Sequence, residues 1–280
     1  MSPLRIDAHQ HFWQYTPEEY GWINDSMASL RRNFLPEDLE REIRQANING
    51  VVCVQARQTL QETQWLLDLA SAHDFIRGVV GWVPLTDPNV ADILQQLSKN
   101  GKLKGVRHVL QSEPDDRYLL RDDFNRGIRQ LQGFGLTYDI LVFEHHLPYV
   151  VDFVERHADQ VFVVDHIAKP RIRDGILVPW QENIQNLAKS PNVYCKLSGM
   201  VTEAAPGNWN EQGFQRYFDT VFNAFGPRRL LFGSDWPVCL TETTYQGWMS
   251  IIQRQIGSFT ESEQQDIMGG TAARVYHLVP

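Results

Sequence analysis

The feature that most constrains this chain is a rhythm. Eight short apolar runs, each followed by a longer amphipathic stretch, succeed one another along the sequence. The runs are Leu4–Ala8, Val51–Gln55, Gly78–Val83, Gly105–Val109, Leu136–Val142, Val161–Asp165, Val193–Leu197 and Leu230–Gly233. Two of them, Val51-Val52-Cys53-Val54 and Val161-Phe162-Val163-Val164, are apolar without interruption. Strands covered on both faces of a parallel sheet have that pattern, whereas half-exposed strands alternate.

Between the runs, helical periodicity predicts helices over Pro36–Asn47, Gln61–His73, Pro88–Leu97, Asp122–Phe134, Leu147–His157, Trp180–Leu187, Glu211–Phe225 and Thr243–Ile256. A ninth stretch, Glu261–Val275, would pack outside or close the bottom. Eight strand–helix units is the count of a closed (β/α)8 TIM barrel in the α/β class. Five or six would have favoured an open, doubly wound sheet. The 280 residues hold no linker, internal repeat or low-complexity tract, so one barrel domain over residues 1–280 is expected.

Composition narrows the partners. A net charge of −8 without a Lys/Arg cluster disfavours nucleic acid and anionic membranes, both of which reward cationic patches. No apolar run reaches the roughly 20 residues that span a bilayer, and Met1–Arg5 has neither the basic nor the apolar part of a signal peptide. Cys53, Cys195 and Cys239 are widely spaced and odd in number, which suggests neither a disulfide framework nor a cysteine zinc site. A cytoplasmic location is the expectation, and the oligomeric state is left open.

The candidate chemistry sits at strand ends. In Asp7-Ala8-His9-Gln10-His11-Phe12-Trp13, His9 and His11 are two residues apart at the end of the first strand, so both imidazoles can aim at the barrel mouth. His166 closes the sixth strand in Val-Val-Asp-His-Ile-Ala-Lys-Pro, and Asp235 closes the eighth in Phe-Gly-Ser-Asp-Trp-Pro. Barrel enzymes build their sites at this end. A carboxylate here could bind a metal, take a proton from water, or both. On the fourth strand Arg107 and His108 are neighbours, so one of the two points inward; Arg107 is the preferred candidate to meet an oxyanion. His145 and His146 follow the fifth strand and could contact substrate. Trp13, Trp22 and Trp236 are candidate stacking platforms, Trp82 is assigned to the core, and His73, His157 and His277 to the surface. The long connection Trp13–Leu35 reads as a functional loop.

His-x-His after strand one, His after strand six and Asp after strand eight together resemble the amidohydrolase superfamily. The strings Asp-Ala-His-Gln-His-Phe-Trp, Asp-His-Ile-Ala-Lys-Pro, Cys-Lys-Leu-Ser-Gly and Phe-Gly-Ser-Asp-Trp-Pro are similar to its sugar-lactonase branch, which also includes pyrone-dicarboxylate lactonases. The resemblance implies a catalytic cluster of His9, His11, His166 and Asp235, with Asp235 as general base. It also implies that Lys196 and Ser198 face the pocket. The bridging lysine of binuclear members is missing, since Lys104 falls at the wrong end of its strand. One divalent ion, zinc first, is therefore expected on His9, His11, His166 and Asp235, and the branch also resembles enzymes that work without one. The function expected is hydrolysis of a small sugar lactone by directly attacking water, because no Gly-x-Ser-x-Gly elbow is present. A metal-dependent decarboxylase and a sugar-binding barrel without activity are the competing readings.

Overall fold

The computed structural model describes residues 4–279. Of the expected segments, Met1–Pro3 of the amino terminus and Pro280 lie outside the described residues. Eight parallel strands follow one another in sequence order: β1 (Ile6–Gln10), β2 (Gly50–Val54), β3 (Ile76–Gly81), β4 (Leu103–Val109), β5 (Thr137–Leu141), β6 (Phe162–Val164), β7 (Val193–Leu197) and β8 (Leu230–Phe232). The helices between them are α1 (Pro36–Gln45), α2 (Leu60–Ala72), α3 (Val90–Leu97), α4 (Asp122–Leu131), α5 (Leu147–Glu155), α6 (Trp180–Leu187), α7 (Gln215–Phe225) and α8 (Tyr245–Gln255). This is an α/β TIM barrel. Its outer shell is one large apolar cluster between strands and helices.

Strands form where apolar residues can be covered on both faces, and Val51–Val54 and Phe162–Val164 are fully buried. A smaller cluster fills the lower lumen: Ile6, Ala8, Val52, Val54, Val80, Val163 and Leu231 meet Ala272, Val275 and Tyr276 from the carboxyl-terminal segment. That segment therefore closes the bottom of the barrel. It is not one helix but α9 (Glu261–Gln265), a wide π turn at Asp266–Gly270 and α10 (Thr271–Val275). Gly269 lies so close to the Leu4 carbonyl that a β-carbon there would collide with it, which fixes a glycine at the turn.

The last seam of the barrel, between β8 and β1, is closed by the backbone of the residues carrying the candidate chemistry. Asp235 N–H donates to the His9 carbonyl (2.8 Å) and His11 N–H donates to the Trp236 carbonyl (2.7 Å). Here β1 runs two residues further than its predicted end, because this pairing extends it past Ala8. The β1–β2 register also slips by one residue between Asp7 and Gln10, a bulge that lets neighbouring Ala8 and His9 both meet the lumen. The loop after β1 is a folded flap. Trp13 and Phe34 pair across its base, and a 3-10 turn spans Asp25–Leu30.

Candidate active site

His9 is fully buried on β1, and its two ring nitrogens face different surroundings. Nδ1 stands 3.2 Å from Asp165 Oδ1 and 3.1 Å from Lys196 Nζ, below the mouth. Nε2 points upward, 3.2 Å from His11 Nε2 and 3.8 Å from Asp235 Oδ1. His11 has its Nδ1 2.7 Å from the Val54 carbonyl, which can only accept. That fixes the tautomer with the proton on Nδ1 and turns the Nε2 lone pair toward Asp235 Oδ1, 3.4 Å away.

His166 arrives by a less common route. β6 stops at Val164, and His166, Ile167, Ala168 and Lys169 all have positive φ (52°, 48°, 60° and 46°), a left-handed turn of non-glycine residues. Such a conformation costs about 1–2 kcal/mol per residue, so the surroundings must hold it. Trp180 donates its indole N–H to the Ile167 carbonyl (2.7 Å). Gly199, itself at φ 65°, leaves the space into which the His166 ring packs. Ser198 Oγ lies 2.9 Å from His166 Nδ1, and Nε2 is 4.0 Å from Asp235 Oδ1. Asp235 also has positive φ (57°), which aims its carboxylate at the three rings.

The electrostatics follow from burial. Desolvation lowers His9 well below the ordinary imidazole value and brings His166 down to about 4, so both are neutral at pH 7. Burial opposes ionisation of Asp235, yet the three surrounding imidazoles, His166 foremost, hold it below the usual carboxylate range. One anion thus faces three imidazole nitrogens, at distances of 3.4 to 4.0 Å from Oδ1. Ligands of a tetrahedral zinc ion stand roughly 3.3 Å apart, so a modest contraction lets these residues hold one divalent ion.

Beneath lies a layer of compensated charge. Lys196 Nζ sits 2.5 Å from Asp139 Oδ2 and 2.9 Å from Asp165 Oδ1, and Tyr276 O–H donates to Asp139 (2.8 Å). Arg107 Nη1 donates to Asp165 Oδ2 (2.9 Å) and lies 3.4 Å from His9 Nε2, while Nη2 donates to the Gln55 carbonyl. Against the desolvation of full burial, Lys196, His9 and Arg107 hold Asp165 well below its ordinary value. Within β1, Asp7 accepts from the backbone N–H groups of His9 (3.1 Å) and Ser234 (2.9 Å) and from the Tyr245 hydroxyl (3.0 Å).

The structure brings together His9, His11, His166, Asp235, Arg107, Lys196 and Ser198. It separates others. His108 points away from the lumen: it is 2.6 Å from Glu113, receives the Trp82 indole N–H (3.3 Å) and stacks on Tyr118, because adjacent strand residues face opposite sides. Trp13 is fully buried among Tyr20, Trp22 and Phe34, and its N–H is donated to the Arg32 carbonyl; it anchors the flap and offers no free face for stacking. Trp236 is equally enclosed by Phe12 and Phe34. His145 and His146 form a separate group with Asp116. His157, expected on the surface, is buried and 2.7 Å from Asn125 Oδ1.

Sequence reading missed Asp165, Asp139 and Asp7. The available signal was Lys196 itself: a lysine inside an apolar strand requires buried carboxylates, and Asp139 and Asp165 lie in or beside apolar strands.

The family model described as "Amidohydrolase" matches residues 6–278. An L-fucono-1,5-lactonase of Burkholderia multivorans is 40% identical over 99% of this chain and 97% of its own length. An L-fucono-1,5-lactonase of Burkholderia ambifaria is 34% identical over 98% and 96%. The crystal structure of an amidohydrolase from Burkholderia multivorans with bound zinc superposes with a TM-score of 0.96, at 40% identity, over 99% of this chain and all of that one. A family match over nearly every described residue, on a barrel with this His-x-His, His and Asp cluster, makes the chain an enzyme of the amidohydrolase family.

Proposed function

We propose that the protein hydrolyses a sugar lactone, of the L-fucono-1,5-lactone kind, to the open aldonic acid. The observation carrying this reading is the convergence of the His9, His11 and His166 Nε2 atoms on Asp235 Oδ1 at the barrel mouth. The names of the two relatives above 30% identity support the substrate class.

Opening a cyclic ester requires a base for water, a polarised carbonyl and a proton for the departing ring oxygen. Asp235, ionised at neutral pH, takes a proton from a water held against the lactone carbonyl carbon. The carbon–oxygen bond to hydroxide forms and charge moves to the former carbonyl oxygen. That oxyanion develops beside the imidazole edge, above Arg107, which lies 3.4 Å from His9 Nε2 and is paired with Asp165. When the ring carbon–oxygen bond breaks, Asp235 returns its proton to the ring oxygen. The acid formed then ionises, releasing one proton to solution. A divalent ion, zinc first, would be held by His9, His11, His166 and Asp235, and when bound it polarises a carbonyl and acidifies water.

Charge pairing supports a neutral sugar over a dicarboxylate. The inward cations Arg107 and Lys196 are already engaged by Asp165 and Asp139, which leaves neither free for substrate carboxylates. Three buried free cysteines suit a reducing cytoplasm. Among the described residues no helix is long and apolar enough to cross a membrane.

The test is proton release, followed with a pH indicator, from L-fucono, L-rhamnono, L-galactono and D-arabino lactones, with and without chelator. Rapid release from one or a few is expected. Silence across the panel, or release of carbon dioxide from a carboxylated aromatic substrate, would replace the lactonase reading with the decarboxylase one.

A further inference from the structure

We propose that Asp116, His145 and His146 form a second transition-metal site, of the zinc class, at the rim of the barrel mouth. His145 and His146 lie in the 3-10 turn directly after β5, and Asp116 lies in the loop between β4 and α4. Both loops follow strands, so the group is at the same end of the barrel as the central cluster but shares no residue with it.

The distances decide between an ordinary ion pair and a ligand set. A histidine hydrogen-bonded to a carboxylate should stand within about 3.2 Å of it, as His108 does with Glu113 at 2.6 Å. His145 Nε2 and His146 Nε2 are instead 3.5 and 3.4 Å from one and the same atom, Asp116 Oδ1. Bonds of about 2.0–2.1 Å in tetrahedral geometry separate neighbouring ligand atoms by roughly 3.3–3.4 Å. The two rings lie 4.0 Å apart between centroids, an unfavourable spacing if both were protonated but a natural one for two neutral ligands.

His146 is built for the part. It is 2% exposed, and its Nδ1 lies 3.2 Å from both groups of Phe143: the N–H donates to it in one tautomer, and the carbonyl accepts its proton in the other, the one that presents the Nε2 lone pair to the site. His145 and Asp116 are about half exposed, so an ion can enter from solvent and water can complete its coordination. Two nitrogens and one carboxylate oxygen suit zinc and its neighbours, not calcium or magnesium.

The experiment counts ions. Wild type, Asp116→Asn/His145→Ala and His11→Ala are dialysed against buffered zinc, and bound metal is measured by mass spectrometry; cobalt absorption gives an independent reading. Wild type should hold two ions per chain and each variant one, and combining all three substitutions should leave none. Loss of direct ligands should weaken the rim ion by at least the ~100-fold that indirect supporting groups confer. Because Asp116 and His145 are exposed, their variant should melt like wild type. One ion per chain in wild type, or unchanged stoichiometry and affinity in Asp116→Asn/His145→Ala, would overturn the proposal. Both results are independent of the lactone substrate.

Discussion

Two layers of buried charge lie one above the other in the barrel, and they are built on opposite principles. In the lower layer, Lys196 and Arg107 meet Asp139 and Asp165 at 2.5 to 2.9 Å, cation against carboxylate. In the upper layer, Asp235 faces three imidazoles, of which His9 and His166 are neutral at pH 7. The lower layer is balanced and closed. The upper one carries an uncompensated negative charge and lone pairs directed at one point, which makes it receptive to a cation or to an electron-poor carbonyl. His9 belongs to both: its Nδ1 faces the balanced layer and its Nε2 the open one. The balanced layer thus serves as a rigid platform on which the reactive layer is oriented.

The contrast predicts separable losses. Asp235→Asn should lower kcat on the true lactone by about 10²–10⁴-fold, since it removes the base without touching the platform. Its melting temperature should stay near wild type; a large drop would show that Asp235 is structural. Lys196→Met should do the reverse. It leaves Asp139 and Asp165 buried without their main partner, a loss of about 3–5 kcal/mol, read by urea unfolding. A stable, merely inactive Lys196→Met protein would refute the division.

Ser198→Ala tests how the upper layer is held. Removing the hydroxyl 2.9 Å from His166 Nδ1 should reduce metal affinity and turnover by about 10–100-fold, with a stability change of only about 1 kcal/mol. The smallest effect concerns pH. His166 has an ordinary value of 6.5 and a folded value of about 4, so the unfolded chain binds the proton first on acidification. Its contribution to the stability of chelator-treated protein is complete above about pH 6.5 and declines toward pH 4. Asp165, depressed by its cations, loses its contribution only at lower pH, below the ordinary carboxylate range. His166→Gln should therefore flatten the first part of the stability–pH curve and spare the second.

Much of this was legible in the chain. The eight apolar runs gave the barrel, and seven of the eight candidate helices started within two residues of their place. The departures have local causes. Glu211–Phe214 forms a 3-10 turn ahead of α7, and Gly269 interrupts the last helix where it meets Leu4. Among site residues, strand ends were readable because apolar periodicity stops there. The tryptophans were not, since a large aromatic in a loop can serve either to stack on a ligand or to anchor the loop, and only packing distinguishes them. Trp13 and Trp236 anchor.

What the sequence by itself determined was set by period and position: parallel strands, the barrel, and the end of it where His9, His11, His166 and Asp235 gather. Only the tertiary structure decided which groups face one another. The bulge in β1, the left-handed turn at His166–Lys169 and the alternation that turns Arg107 inward and His108 outward each depend on contacts between strands far apart in sequence. So does the pairing of Lys196 with two carboxylates, because a buried charge selects its partner by distance and desolvation, neither of which exists before the barrel closes.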